Sequence, residues 1–317
     1  MSAPTVRSEA LEQARRLLAN VERVIHGKSE AVRLAAVALL SEGHVLLEDV
    51  PGTGKTTLAR ALARSVRASF RRIQFTSDLL PGDVLGVTTW SPSREEFRFT
   101  PGPIFAHFVL ADELNRSSPR TQSALLESMN ERRVSVDGVG RDLPRPFFVI
   151  ATQNPVEFEG TYPLPESQLD RFLVRIRMGY PGPEHERRML LERSSRDPLE
   201  ELEPVLEVEE LVALLQEVPQ VRLDESLLDW LLALVAATRE HPRLLLGASP
   251  RAALGWMRAA RAHAFLDGRD YVVPEDIHAL CLPVLAHRVI PSPRAGVEED
   301  GAEEILRELL AEVPGPE

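Results

Sequence analysis

Cysteine is nearly absent: Cys281 is the only one in 317 residues. That excludes an intramolecular disulfide framework and any cysteine-built zinc site. Aromatic residues are scarce at 5%, so the apolar core must be built mostly from Leu, Val and Ala. No apolar run approaches the roughly 20 residues of a membrane-spanning helix, which predicts no membrane insertion. The opening residues Met1 to Arg7 lack the apolar core of a signal peptide, so the expected compartment is the cytoplasm. Basic residues are in deficit, 37 Lys and Arg against 48 Asp and Glu, for a net charge of −11. That balance argues against a general nucleic-acid binder, which carries a basic footprint, but leaves room for one basic pore in an acidic shell. The eight histidines form no metal-spaced cluster, and His185-Glu186 lacks the second His of a zinc-protease helix. Cys281, between Leu280 and Leu282, reads as a core residue rather than a nucleophile.

The remaining composition, 44% hydrophobic and 27% charged, is that of an ordinary globular chain, and the length suggests about two domains. The first half alternates apolar runs with helical spacing. Helices are predicted at 10–20, 30–40 and 55–66, and buried strands at 44–48, 72–75, 108–111, 147–151 and 172–176. Strands alternating with helices predict an α/β fold, a parallel sheet covered on both faces. Tyr180-Pro181-Gly182-Pro183 breaks the pattern, and beyond it no run reads as a strand. Helices are predicted at 184–193, 226–240, 251–266 and 274–286, with a final one around Ile305, Leu306, Leu309 and Leu310 after an acidic stretch. The expected division is therefore an α/β core over 1–181 and an all-helical domain over 182–317.

Asp49-Val50-Pro51-Gly52-Thr53-Gly54-Lys55-Thr56 follows one predicted strand and opens the next helix. It matches the phosphate-loop pattern G-x-x-x-x-G-K-[ST] except that Asp49 replaces the first Gly. Gly52 and Gly54 permit a tight turn whose N–H groups point at phosphate oxygens, and the helix N-terminus adds partial positive charge. Lys55 suits neutralising the β- and γ-phosphates of ATP, and the Thr56 hydroxyl suits ligating Mg²⁺. Val50, Pro51, Thr53 and Thr57 complete the expected cofactor-binding stretch.

The apolar run 108–111 ends in Asp112-Glu113. Carboxylates at the carboxyl end of a strand lie where open α/β sheets bind ligands. Asp112 is the expected holder of Mg²⁺, through water, and Glu113 the group that accepts a proton from the attacking water. A solvated strand end would also account for the pair taken alone.

Taken together, the motifs give the chain a resemblance to the MoxR group of AAA+ ATPases. The matching segments are 24–27, 48–57, 73–83, 112–116 with 121–127, 151–155, 165–172 and 247–252. They appear in the family's order and span about Val24 to Val313. MoxR-like sequences often carry Asp at the position of Asp49, whereas Lys28 stands where the family often has Gln.

The resemblance implies roles for further residues. Asn154 corresponds to the first sensor, orienting the attacking water or touching the γ-phosphate; by residue type alone it is a loop Asn before Pro155. Arg171 corresponds to the arginine finger that reaches a neighbouring subunit's nucleotide; by residue type alone it is a surface Arg paired with Asp170 or Glu166. Arg251 corresponds to the second sensor, in cis or in trans, while Ser249-Pro250 before it also reads as a plain helix start. Val24 and Ile25 correspond to a segment that packs on adenine, and equally read as a hydrophobic anchor for the first helix. The stretch 76–100 resembles the insertion in helix two, and 132–145 the hairpin before the first sensor; in relatives these face the ring pore.

Implied, then, is an AAA+ core with a helical lid and Mg²⁺-dependent ATP hydrolysis by a homo-oligomeric ring, a hexamer. Its work would be chaperone-like remodelling or activation of a protein client, one carrying a von Willebrand factor A domain. Two alternatives stand beside it: an ATP-binding scaffold with little turnover, and a chelatase- or DNA-type motor of the same superfamily branch.

Overall fold

The computed structural model describes residues 6–154, 160–193, 197–292 and 301–316. In chain order the elements begin with α1 (Val6–Glu22), α2 (Ser29–Leu40), β1 (Val45–Glu48), α3 (Lys55–Ser65) and β2 (Phe70–Gln74). A short α4 (Pro81–Leu85) leads into the hairpin of β3 (Gly86–Ser91) and β4 (Glu96–Pro101). Then come β5 (Phe108–Asp112), α5 (Pro119–Glu131), the hairpin of β6 (Arg133–Val136) and β7 (Val139–Asp142), and β8 (Phe148–Gln153). The remainder is α6 (Glu166–Leu169), β9 (Val174–Ile176), α7 (Pro183–Arg193), α8 (Val208–Glu217), α9 (Glu225–Glu240), β10 (Leu244–Leu246), α10 (Pro250–Leu266), α11 (Pro274–Leu285), β11 (Ile290–Pro291) and α12 (Gly301–Glu312).

Five strands form one parallel sheet in the order β2-β5-β8-β1-β9. Successive side chains on a strand face opposite ways, and the burial follows that rule. Val45 and Leu47 of β1, Phe108 and Leu110 of β5, and Phe148 and Ile150 of β8 join one apolar cluster. Leu46, Val109, Ala111, Val149 and Ala151 join the cluster on the other face. Both faces are thus dry, which is why these strands read as continuous apolar runs rather than alternating ones. On the first face, small residues let helices sit close: Ala31, Ala35, Ala36 and Ala38 of α2, and Ala59, Ala61 and Ala63 of α3, are buried. α5 and the β6–β7 hairpin cover the second, through Leu125, Leu126, Met129 and Val134.

The C-terminal region is helical, as expected, but not purely so. β10 and β11 pair antiparallel in a small ribbon between the helices. Each is only two or three residues long, too short for any periodicity to mark. The helix α8 also escaped the hydropathy reading, although Leu211, Leu214 and Leu215 fall at helical spacing and are buried. The apolar cluster on the first face runs without a gap from Val32 and Leu62 through Trp230, Trp256 and Val284. The expected boundary near Gly182 therefore does not interrupt the core. Pro155 of the sensor motif and the acidic residues Glu298, Glu299 and Asp300 lie outside the described residues. Among the described residues, no helix is long and apolar enough to cross a membrane.

Candidate nucleotide site

In a parallel sheet all carboxyl ends share one edge, and most of the expected site residues meet there. The loop 49–54 turns from β1 into α3 with Gly52 at φ +85° and Gly54 at φ +95°, left-handed values that favour Gly. A Cβ at Gly52 would meet nothing within 4 Å, so its backbone lies open to a ligand. Lys55 Nζ donates to the loop carbonyls Asp49 O (2.5 Å) and Val50 O (3.3 Å), which holds the ammonium over the loop it follows. Thr53 Oγ1 donates to Val50 O at 3.3 Å, and Thr56 and Thr57 continue the first turn of α3.

Asp49, the departure from the phosphate-loop pattern, has a structural use. Its Oδ1 accepts from Val50 N at 2.8 Å, and its Oδ2 accepts from Gly179 N at 2.5 Å. One carboxylate thereby ties the loop to the segment after β9, which a Gly could not do.

Asp112 closes β5 and is almost fully enclosed. Its Oδ1 accepts from Thr152 Oγ1 at 2.6 Å, and its Oδ2 accepts from Arg72 Nε at 2.9 Å and Nη2 at 2.6 Å. Glu113 adopts a left-handed φ of +56°, and its N–H donates to the same Thr152 hydroxyl at 2.8 Å. The Glu113 Oε2 accepts from Gln74 Nε2 at 2.8 Å and lies 3.4 Å from Arg116 Nη1. Asn154 follows β8 at the same edge, and its carbonyl accepts from Asn115 Nδ2 at 3.4 Å. Arg72 and Gln74 are two apart on β2, so they share a face, and Arg72 Nη2 donates to Gln74 Oε1 at 2.8 Å. Neither was singled out from the sequence. The sequence reading made 72–75 a buried strand, but β2 is an edge strand on which Arg72 and Gln74 are exposed, and the β2–β5 register, Gln74 opposite Asp112, brings them to the acids.

Beside this edge opens a cavity of about 650 Å³, lined among others by Gly27, Lys28, Arg175, Arg177, Met178 and His278. Met178 links it to the loop, since its Cε lies 3.9 Å from where a Cβ on Gly54 would stand. Val24 and Ile25 are buried in the core cluster, and Gly27 and Lys28 just after them stand at the cavity wall. The cavity's far wall comes from α11 and α12. There Arg175 lies 3.2 Å from both Glu48 and Glu303, tying the end of β1 to the last helix.

Arg171 and Arg251 are elsewhere. Arg171 precedes β9, and Arg251 opens α10; the two line a second cavity, of about 160 Å³, with His44, Asn130, Arg132 and Arg258. His44 immediately precedes β1, so this cavity is at the amino edge of the sheet. At about 3.3 Å per residue, a five-residue strand puts the two edges roughly 15 Å apart. Arg251 donates to Asn130 Oδ1. Burial, with the neighbouring Arg171 adding to it, lowers the Arg251 pKa against the pull of Asp170. Arg171 Nη1 is enclosed with no hydrogen-bond partner among the described residues.

One other cluster has metal-like geometry: His263, Asp267 and Asp276. Its charge is already met. Arg269 donates to both oxygens of Asp276 at 2.6 Å, and Arg33 lies 2.5 Å from Asp267.

Comparison with known proteins bears on the family and the fold. The family described as "ATPase family associated with various cellular activities (AAA)" matches residues 44–174, and the AAA lid domain matches 236–309. The chain is 52% identical over 297 residues to the uncharacterized protein YeaC of Bacillus subtilis, covering 94% of this chain and 93% of that one. It is 42% identical to chaperone MoxR1 of Mycobacterium tuberculosis, covering 95% and 82%, and 33% identical to protein MoxR of Methylorubrum extorquens, covering 96% of each. A crystal structure of a "putative ATPase" from Cytophaga hutchinsonii superposes with a TM-score of 0.91 at 36% identity, over 98% of this chain and 97% of that one.

Proposed function

The chain belongs to the MoxR family of AAA+ ATPases, and on that premise we propose that it hydrolyses ATP with Mg²⁺ in a homo-oligomeric ring, a hexamer, to remodel or activate a protein client. The observation that carries this reading is the split of charged groups between the two edges of one sheet. Lys55, Asp112, Glu113 and Asn154 stand at the carboxyl edge, while Arg171 and Arg251 stand at the amino edge. Side chains cannot bridge that distance within one chain. A second chain can place its amino edge against the first chain's carboxyl edge. Arg171, half-buried on the wall of the amino-edge cavity, is then the group that turns toward a neighbour's phosphate. Both arginines act in trans on this reading.

In the site so completed, the loop N–H groups of 50–57 and the Lys55 ammonium bind the phosphates. Thr56 and Asp112 would hold Mg²⁺, which supplies charge neutralisation at the phosphate oxygens. The Glu113 carboxylate takes a proton from the attacking water, Asn154 orients that water, and Arg171 stabilises the charge on the transferred phosphoryl group. ADP and phosphate are the products. The core over 1–181, with its insertion at 76–100 and hairpin at 132–145, closes over nucleotide with the lid 182–317. The client is a protein carrying a von Willebrand factor A domain, and the compartment is the cytoplasm.

The test is Mg²⁺-ATPase rate per subunit against protein concentration, with sizing in parallel. A rate that rises and saturates as rings assemble is expected. A substantial rate from a monomer, identified by sizing, would overturn the shared site. Glu113→Gln should keep ATP binding and assembly and lose at least about a hundredfold in turnover, the usual share of a general base. Equal rates for the two proteins would favour the scaffold alternative.

A further inference from the structure

The segment 170–173 that carries Arg171 lies between α6 and β9 and belongs to neither. Its carbonyls therefore lack the partners that a helix or sheet would supply and must be satisfied otherwise. A single side chain does most of this. Arg288, which follows α11 and is almost fully buried, donates from Nη2 to Phe172 O at 2.7 Å and to Asp170 O at 3.2 Å. Its Nη1 donates to Leu173 O at 3.3 Å and to Val284 O at 2.9 Å. Its Nε forms an ion pair with Asp170 Oδ1 at 2.9 Å. The adjacent His287 adds a bond from Nε2 to Phe172 O at 2.9 Å.

Asp170 extends the arrangement to the helix that carries Arg251. Ser249 Oγ donates to Asp170 Oδ2 at 3.2 Å and accepts from Ala252 N at 3.1 Å, capping α10 two residues before Arg251. Gly255 lets α10 sit against this hub, since a Cβ there would come within 2.9 Å of Leu173 Cδ1 and 3.8 Å of the Arg288 guanidinium. Burying a guanidinium is costly unless its donors are all met. The Nη1 and Nη2 ends of the planar fork meet four carbonyls here, with the Asp170 carboxylate beside Nε as counter-charge, and the three donors of a Lys cannot match that.

We propose that Arg288 is a positioning residue for Arg171, clamping segment 170–173 to the lid and, through Asp170 and Ser249, holding Arg171 and Arg251 as one unit. The inference rests on the reading above that Arg171 completes a neighbour's site. The lid and the finger then move together: a lid displacement in one subunit shifts both arginines presented to the next. Arg288 is almost fully buried against segment 170–173 at the amino edge, and its own chain's phosphate loop is at the other edge of the sheet.

The test is subunit mixing with Arg288→Lys, Arg288→Met and Asp170→Asn in the full chain, reading ATPase activity and ADP affinity by calorimetry. Arg288→Lys should lower kcat tenfold or more with ADP affinity within twofold of the parent. Mixed with Lys55→Ala, which brings intact arginines and a disabled phosphate loop, it should regain activity. Mixed with Arg171→Ala, whose defect lies on the same edge, it should not. Recovery of Arg171→Ala by Lys55→Ala without recovery of folded Arg288 variants would overturn the positioning role alone. Failure of the Arg171→Ala mixture would instead remove the trans reading beneath it. Wild-type kcat in Arg288→Lys, or loss of folding in all three variants, would assign the cluster to stability only and also overturn the proposal.

Discussion

Asp112 meets an arginine where a metal-binding carboxylate is expected, and that sets a prediction. Arg72 reaches Asp112 Oδ2 through two nitrogens, so it competes for the charge Mg²⁺ would use. Arg72→Ala should lower the Mg²⁺ concentration for half-maximal turnover severalfold; a higher requirement would mean that Arg72 helps hold the phosphates instead. His44 gives a second. Burial pushes its pKa down to about 4 from 6.5, the bond from Nε2 to Met129 O opposes the shift, and Nδ1 accepts from Val149 N. Between those two values the unfolded chain binds the proton and the folded one does not, so stability falls as pH falls from about 6.5 to 4. The loss from this group is about 3 kcal/mol by pH 4, at 1.36 kcal/mol per unit. His287, lowered by burial and by Arg288, acts in the same direction. His44→Gln should be less stable at pH 7 and show a shallower decline in urea titrations across that range; parallel declines would clear His44 of the effect. Sequence alone pointed to Lys55, Thr56, Asp112 and Glu113, because each sits in a short contiguous pattern. It could not point to Arg72, Gln74 or Arg288, whose meaning comes from contacts dozens of residues away.

The hairpin of β3 and β4 lies largely open to solvent. Trp90 and Phe97 pair edge to face at 5.1 Å, and both are exposed. Its base is closed by two glycines. A Cβ at Gly86, which has φ +99°, would come within 2.4 Å of Thr100 O; one at Gly102 would come within 2.3 Å of Val84 O and 2.5 Å of Gly86 N. Those atoms are backbone and cannot move aside cheaply. Gly102→Val should therefore splay the hairpin at a cost of about 2 kcal/mol, within the range for overpacked sites. Proteolysis between Gly86 and Pro101 should accelerate while ADP affinity stays within twofold. Equal proteolysis rates would place the strain elsewhere. The Arg141 guanidinium, 3.9 Å from the centre of the Phe99 ring, joins this hairpin to that of β6 and β7, so the two would loosen together. Element boundaries were legible where an apolar run or a Pro or Gly break marked them: the buried strands, the phosphate loop and the long lid helices. α8 was passed over because four glutamates among its ten residues and its cap mask the Leu spacing, and β10 and β11 because the ribbon is held by tertiary packing between helices rather than by a pattern of its own.

At the scale of the whole molecule, the proposed site shared between subunits rests on how the fold divides charge across one sheet. The carboxyl edge of the sheet collects the lysine and the two acids, and the amino edge collects Arg132, Arg171, Arg251 and Arg258 around one small cavity. So much positive charge would repel itself there. Glu42, 2.9 Å from Arg132, and Asp170, 2.9 Å from Arg288, offset part of it. On the proposed reading, the phosphates of a neighbouring subunit's nucleotide meet the remainder. The chain as a whole carries a net charge of −11, so four arginines around one cavity run against the overall balance. Arg251→Ala tests the consequence. If Arg251 served its own chain's nucleotide, ADP affinity of the isolated subunit should drop. Acting in trans, it should leave that affinity within twofold and lower turnover tenfold or more only in assembled rings. Dilution separates the two: below the assembly concentration wild type and variant should become indistinguishable, and above it their rates should diverge. Lys55→Ala subunits, added above that concentration, should restore part of the lost rate by supplying an intact arginine edge to Arg251→Ala phosphate loops. An affinity loss in the dissociated subunit would return Arg251 to its own chain and require the lid to swing across the full depth of the sheet.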